Sequence, residues 1–246
     1  MRRRGSRRFS AALFALAISP VFGGEIHEAV ARGDLARVQV LLTAHPDAVF
    51  SADDSGHTPL HIAASEGYSA IVQLLLSNHA DVNAPDKAGF TSLHVAVQRN
   101  RVPIAELLLL HNAFVDAAAG DGRTPLHFAA ELGATNLVKL LLANNANPSA
   151  VDKEGWTPLH FAADRHHRNV VELLLDNNAA INAKNNGGYT PLHFAASEGE
   201  KSIVELLLSR NADANATDKD GWTPSHYASA NGFDAVTALL RQHGAR

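Results

Sequence analysis

The sequence predicts an all-α solenoid, a stack of about seven helix–turn–helix units. Three observations lead to this class. The string GHTPLHIAA returns five times in near variants, a run of three leucines follows most copies, and glycine or asparagine stands where each helix should end. The threonines of the string each lie 33 residues after the last: Thr58, Thr91, Thr124, Thr157, Thr190 and Thr223. A fixed period of this length is the signature of a repeat architecture.

Each element of a unit follows from local chemistry, as residues 54-86 illustrate. Thr58 suits the N-cap of a first helix, and Pro59 fits its first turn, where a missing N–H costs nothing. Gly67 can end that helix in a left-handed conformation. The apolar run from Ile71 to Leu76 predicts a second helix that is apolar over a wide arc. At the turn after it, later units carry asparagine, which tolerates the left-handed conformation: Asn112, Asn145, Asn178 and Asn211.

Stacking buries apolar arcs that one unit alone would expose, so stability should come from the interfaces between units. The end units are more polar, as surfaces with solvent on one side require. The first lacks the Thr-Pro pair, and the last has Ser225 in place of leucine. The expected boundaries are 24-53 for an N-terminal cap, 54-86, 87-119, 120-152, 153-185 and 186-218 for inner units, and 219-246 for a C-terminal cap.

Residues 1-23 differ from the remainder and predict a signal peptide. Five arginines and no acidic residue precede the apolar run Ala11 to Ile18, and small residues follow at Val21 and Gly23, after which we expect cleavage. The apolar run is too short to span a bilayer. An exported protein, periplasmic or secreted and of bacterial origin, is the interpretation. A mitochondrial presequence, an uncleaved anchor and a disordered basic tail of a cytoplasmic protein remain alternatives. Ser6-Arg7-Arg8 hints at a twin-arginine signal, but the residues that follow it fit that signal poorly.

Charge and composition exclude several classes of function. The leader holds five of the 21 basic residues, so residues 24–246 carry 16 basic against 25 acidic residues. A body this acidic argues against nucleic-acid binding, which relies on clustered lysine and arginine. The absence of cysteine excludes disulfides and thiolate metal sites. No apolar run after the leader resembles a membrane span.

The repeated unit resembles the ankyrin repeat family. The likeness covers about residues 24–246 and rests on the pattern GxTPLHxAA…IVxLLLxxxAdvNA, with Ser92, Val97 and His166 among its departures. The resemblance implies hairpin-like loops that project at right angles from helix pairs, and a concave face made of loop tips and first helices. It also implies a protein-binding scaffold without catalysis.

The chain has 14 histidines, and seven of them recur once per unit: His27, His61, His94, His127, His160, His193 and His226. A metal or proton-relay column is one interpretation. However, stacked helices lie roughly 8–10 Å apart, whereas zinc needs nitrogen ligands at about 2.0–2.1 Å. We therefore expect these histidines to tie loops together. His166 and His167 with Asp164 make only a weak metal candidate, and no serine elbow or HExxH motif suggests an enzyme.

The rest of each turn is polar, so we expect the side chain just before each threonine to be exposed at the loop. These residues are the best binding candidates: His57, Phe90, Arg123, Trp156, Tyr189 and Trp222. They would form an aromatic ridge, and Trp, Tyr and Arg are enriched in binding hot spots. The alternative is that these side chains pack on the neighbouring loop. A second row ends the first helices, where Arg99, Leu132 and Arg165 stand out. Three arginines, Arg99, Arg123 and Arg165, would add positive charge to the concave face.

The sequence therefore predicts a non-catalytic scaffold that recognises a partner protein through its concave face, as a monomer and without a cofactor or metal. Two alternatives differ in role: a specific inhibitor or stabiliser of an enzyme in the same compartment, or a secreted effector that binds a host protein. The partner's identity does not follow from the sequence.

Overall fold

The computed structural model describes residues 24–245, so the predicted leader lies outside the described residues. Within that range the chain forms fourteen α-helices in seven pairs and contains no strand, which confirms the all-α solenoid. The first helices of the pairs are α1 Glu25–Ala31, α3 Pro59–Glu66, α5 Ser92–Gln98, α7 Pro125–Glu131, α9 Pro158–Asp164, α11 Pro191–Ser197 and α13 Pro224–Ala230. The second helices are α2 Leu35–Ala44, α4 Ser69–Ser77, α6 Val102–Leu110, α8 Thr135–Ala143, α10 Arg168–Asp176, α12 Lys201–Ser209 and α14 Asp234–Gln242.

The helix ends follow the local chemistry of the sequence. Thr58 caps α3 in extended conformation, with Pro59 in the first turn, and Gly67 ends the helix at φ 84°. His166 takes the left-handed conformation in place of that glycine, at φ 64°. The predicted left-handed asparagines are confirmed too, with φ between 63° and 66° after the second helices: Asn112, Asn145, Asn178 and Asn211.

The helices form two layers around one continuous core. Each first helix packs against the next first helix, and each second helix packs behind its own partner. The fully buried leucines lie between the layers, for example Leu159 of α9 and Leu174 of α10. Burying each such side chain is worth about 1.5–3 kcal/mol. Contacts between neighbouring first helices are more extensive than those between second helices, because alanines such as Ala162 and Ala163 permit close approach. The stack therefore curves with the first helices on its inner side.

The loops between pairs are hydrogen-bonded hairpins that join one another. In the loop before α5, the N–H of Asp86 donates to the carbonyl of Phe90 at 2.8 Å, and the Asp86 carboxylate accepts the N–H of Phe90 at 2.9 Å. The N–H of Lys87 then donates to the carbonyl of Ser55 in the preceding loop at 3.0 Å. Where Ala119 replaces this aspartate, Asp121 accepts the N–H of Arg123 instead, at 3.0 Å. The loops thus hold the backbone of the residue before each threonine in place.

The first unit contains an element that the sequence did not predict, a 3-10 helix at Pro46–Phe50. It follows directly after α2 and His45. Val49 is buried in the core from this short helix. Pro46 favours such a turn. The other described units have no helix between their second helix and the next unit, so the repeated pattern could not predict this one.

Candidate functional site

The seven repeated histidines lie in a line along the first helices, and all except His226 link neighbouring units. In His160, Nδ1 accepts the backbone N–H of Thr157 at 3.0 Å, and Nε2 donates to the carbonyl of Tyr189 in the next unit at 3.0 Å. Five further links have the same form: His27 to His57 (3.1 Å), His61 to Phe90 (3.0 Å), His94 to Arg123 (3.2 Å), His127 to Trp156 (3.0 Å) and His193 to Trp222 (3.1 Å). The acceptor in each link is the residue before a threonine, so this line supports the predicted binding row.

Burial lowers the pKa of each of the six linking histidines and so favours the neutral ring. It lowers the pKa of His94, His127 and His160 to about 4, against carbonyl hydrogen bonds that act in the opposite direction. The bonding pattern places the proton on Nε2 and leaves Nδ1 as the acceptor. Both ring nitrogens of His94, His127 and His160 are thus occupied by the scaffold. Between residues 24 and 245, no three histidine or acidic side chains converge to hold a metal ion.

The adjacent histidines of the sequence point to separate partners. His167 Nε2 donates to the carbonyl of Glu131 at 3.0 Å, while His166 Nδ1 lies 3.5 Å from a carboxylate oxygen of Glu200. Asp164 lies near Arg165, with 3.6 Å between Oδ2 and Nε. The weak metal candidate is therefore not assembled, because each of its members has a different neighbour.

The residue before each threonine forms one row, which we call the ridge: His57, Phe90, Arg123, Trp156, Tyr189 and Trp222. Only Trp222 is exposed, with 44% of its surface open to solvent, and the other five are half-buried. The expectation that this row is simply exposed needs correction for those five. For all of the five except His57, the cause is a second set of aromatic side chains on the first helices.

This second set, the inner rings, comprises Phe128, Phe161, Phe194 and Tyr227, each directly after the repeated histidine. Trp156 packs against Phe161 of its own unit and Phe194 of the next, with ring centroids 4.9 and 4.4 Å apart. Tyr189 lies in the same way between Phe194 and Tyr227, at 5.7 and 5.9 Å. Ridge and inner rings therefore alternate in a continuous stack.

Sequence reasoning missed the inner rings, although a signal was present. Aromatic residues stand after the histidine in four consecutive units, where Ile62 and Val95 stand in the earlier ones. The N-terminal end of the ridge consequently differs. His57 does not join the stack, because its Nδ1 contacts Asp53 at 3.0 Å and its Nε2 lies 3.5 Å from Asp86.

Arg123 interrupts the aromatic row, yet continues the stacking. Its guanidinium lies over the rings of Phe128 and Phe161, 4.0 and 4.4 Å from their centroids, an attractive cation–π arrangement. It also pairs with the carboxylate of Glu131, whose other oxygen contacts Arg165 at 3.1 Å. Acidic partners thus neutralise two of the three arginines that were expected to make this face positive.

The second predicted row lies at the C-terminal ends of the first helices. Arg99, Leu132 and Arg165 are the C-cap residues of α5, α7 and α9. Leu132 is 50% exposed, and Arg99 and Arg165 are half-buried. Glu131 connects this row to the ridge, since it contacts both Arg123 and Arg165.

The family model for ankyrin repeats (3 copies) matches residues 26–119, 113–185 and 179–246, which together cover nearly all of the chain. This chain belongs to the ankyrin-repeat family. The crystal structure of the ankyrin repeat domain of Bcl-3, a member of the IkappaB protein family, agrees with a TM-score of 0.80 and 30% identity. The match covers 89% of this chain and 98% of that structure. The ankyrin solenoid is a protein-interaction scaffold.

Ankyrin-repeat relatives match shorter segments. Protein phosphatase 1 regulatory subunit 27 of Homo sapiens is 44% identical over 59 residues, which is 24% of this chain and 38% of that protein. NF-kappa-B inhibitor alpha of Homo sapiens is 44% identical over 66 residues, which is 25% of this chain and 21% of that protein. The chain thus spans well under half the length of these relatives. Both are eukaryotic, so bacterial origin stays a prediction. In the described part of the chain, no helix has the length and apolar character to cross a membrane.

Proposed function

We propose that this chain is a non-catalytic scaffold that binds a partner protein through its concave face, with the ridge as the centre of contact. The observation that carries the proposal is the half-exposed aromatic row Trp156, Tyr189 and Trp222 on a backbone fixed by the histidine links. Tryptophan and tyrosine dominate binding energy at protein interfaces.

The ridge side chains are already ordered, which favours binding. Trp156 and Tyr189 each pack between two inner rings, so little rotamer freedom remains to be lost when a partner arrives. Pre-organised side chains avoid part of the entropy cost of association. Leu132 and Arg165, at the ends of first helices, would extend the contact beyond the ridge.

The other parts of the proposal follow from composition. The acidic body argues against nucleic acid as a partner. The repeated Ser, His and Asp residues occupy structural places, so we propose neither an enzyme activity nor a cofactor. We further propose a monomer that is exported after removal of residues 1-23, and N-terminal sequencing of the mature chain tests the cleavage after Gly23.

The double variant Trp156→Ala/Trp222→Ala tests the binding surface. We expect at least a tenfold loss in the partner proteins captured by crosslinked pull-down from the native compartment, with helical circular dichroism unchanged. The matched control is Phe50→Ala/Phe114→Ala, which removes two exposed aromatic side chains away from the ridge. Equal capture by the ridge variant and the unaltered chain would remove the ridge from the binding surface.

A second role fits the same surface, that of a specific inhibitor or stabiliser of an enzyme. The observation that favours it is the similarity to a phosphatase regulatory subunit and to an NF-kappa-B inhibitor. A stable one-to-one complex with an enzyme, isolated from the compartment of this protein, would support that role. Uptake by another cell would instead support a secreted effector that binds a host protein.

A further inference from the structure

We propose that Trp156, Tyr189 and Trp222 bind a proline-rich segment of the partner in the polyproline II conformation. This inference rests on the proposed function, because it names the chemistry that the same surface recognises. Three features of the ridge support it: its spacing, its free hydrogen-bond donors and the carboxylate partners of the arginines beside it.

The first feature is the spacing between ridge rings. Trp156 and Tyr189 both contact Phe194, at 4.4 and 5.7 Å between centroids, so their own rings lie at most about 10 Å apart. Stacked helices repeat at about 8–10 Å. A polyproline II helix rises about 3.1 Å per residue with three residues per turn, which returns a side chain to the same face about every 9 Å. Such a segment would meet successive ridge rings with every third residue.

The two other regular backbone conformations, the β-strand and the α-helix, must be compared with this spacing. A β-strand returns a side chain to one face about every 6.7 Å, which falls out of step with the rings after one unit. An α-helix comes back into step only after two turns, about 10.8 Å. Spacing therefore excludes the strand and leaves the helix as the competing conformation.

The second feature, the indole N–H groups, distinguishes polyproline II from the α-helix. Within residues 24–245, neither Trp156 nor Trp222 donates its indole N–H to a protein atom, and both side chains reach solvent. A polyproline II segment has no internal hydrogen bonds, so its carbonyls are free to accept these donors. The carbonyls of an α-helix are already used within the helix. Donors on an aromatic row thus favour the polyproline II partner.

The third feature is charge. Arg123 and Arg165 flank the aromatic row, and Glu131 pairs with both. Asp164 adds a further carboxylate next to Arg165. Each of these arginines therefore has a carboxylate partner, so neither is left to attract an acidic segment, and an uncharged proline-rich segment fits better. From the first ring to the third there are two steps of three residues each, so the three rings would cover about seven residues of such a segment.

The chain is well suited to a direct test, because its only two tryptophans both lie on the ridge. We would titrate the whole protein with a twelve-residue polyproline peptide and record the two indole N–H signals by NMR. We expect both signals to shift in a saturable way. An alanine-rich helical peptide and a glycine–serine peptide of equal length should leave them unchanged. Unmoved indole signals at millimolar polyproline, or equal shifts with the helical peptide, would overturn the inference.

A pair of variants separates the hydrogen bonds from the ring stacking. Trp156→Phe/Trp222→Phe keeps aromatic rings but removes both indole donors, and we expect about five- to tenfold weaker binding of a fluorophore-labelled polyproline peptide, by anisotropy. Phe50→Ala is the control and should bind as the unaltered chain does. Unchanged affinity of the tryptophan-to-phenylalanine variant would contradict the donor role. If polyproline fails but Trp156→Ala/Trp222→Ala still loses its protein partners, only this inference falls and the proposed function stands.

Discussion

The histidine line and the ridge run side by side, yet they differ in almost every property. Histidines such as His94 and His160 are buried and recur without variation, while the ridge changes from Phe90 to Arg123 to Trp156 and reaches solvent. The two are joined by one hydrogen bond per unit, from histidine Nε2 to a ridge carbonyl. The side chain of a ridge residue takes no part in that bond.

This difference separates scaffold from recognition within the same few residues. The scaffold holds the ridge through its main chain, by the histidine link on one side and by loop hydrogen bonds such as Asp152 to the N–H of Trp156 on the other. The ridge side chain can therefore change without loss of the frame. Two predictions break the histidine line, and a third changes the ridge.

The largest expected effect comes from acid, which acts on several histidines at once. His94, His127 and His160 have pKa values of about 4 in the folded chain because they are buried, against 6.5 when exposed. The unfolded chain binds protons first, so stability is complete above pH 6.5, declines as pH falls towards 4, and levels off below. We expect each of the three to cost about 2 kcal/mol of unfolding free energy by pH 5.

Urea unfolding between pH 7 and 4, followed by circular dichroism, checks this expectation. His27, His61 and His193 should add to the decline, since burial lowers their pKa values too. Two half-buried carboxylates act in the opposite sense: burial raises the pKa of Asp152 and of Asp164, so the folded chain binds these protons first and gains stability as pH falls towards their ordinary pKa. A stability that stays flat from pH 7 to 5 would show that the histidines are protonated in the folded chain.

The next effect in size compares two histidines at the same place in the repeat. His160→Ala leaves the buried N–H of Thr157 without its acceptor, breaks the link to Tyr189 and opens a cavity. The Tyr189 carbonyl still accepts the N–H of Asn185. We expect a loss of about 2–4 kcal/mol in unfolding free energy. His226 is exposed and, among the described residues, has no carbonyl to accept from its Nε2. His226→Ala should cost below about 1 kcal/mol.

Chemical unfolding of both variants measures the difference. Similar losses for the two would mean that the link between units contributes little and that the N-cap bond to threonine, which both histidines make, carries the effect. A binding assay on the His226→Ala chain is the accompanying control, because its ridge is intact.

Most of the fold could be predicted because its determinants act locally. Helix caps, left-handed residues and the apolar patterns of the two helices depend on neighbours within a few positions. Thr58, Gly67 and Asn112 are examples. The 3-10 helix at Pro46–Phe50 could not be predicted, because the first unit departs from the repeated pattern. The distance between stacked helices alone argued against a shared metal ion in the histidine line. The hydrogen bonds of the structure show that these histidines link the units instead.

The candidate site was harder, because its contacts join residues of different units. Trp156 meets Phe194 and Arg165 meets Glu131 across neighbouring helices. The sequence shows that these side chains recur, but not the direction in which each one points. Binding by the ridge residues and by Arg99, Leu132 and Arg165 stays a prediction.

The smallest effect is expected from Arg123→Phe, which makes the ridge aromatic from Phe90 to Trp222. Phenylalanine can stack on Phe128 and Phe161 as the guanidinium does, and such pairs are worth about 0.5–1.5 kcal/mol. The change also removes a buried Nε that lacks a hydrogen-bond partner. Glu131 keeps its contact with Arg165, so it is not left as an isolated charge.

We therefore expect the unfolding free energy of Arg123→Phe to change by less than about 1 kcal/mol in chemical unfolding. Arg123→Ala is the matched comparison, since it removes the same charge without restoring the stack, and it should cost more. A loss above 2 kcal/mol for the phenylalanine variant would show that the ion pair with Glu131 belongs to the scaffold. Arg123 would then be required for the fold, and only the aromatic residues of the ridge could change without loss of stability.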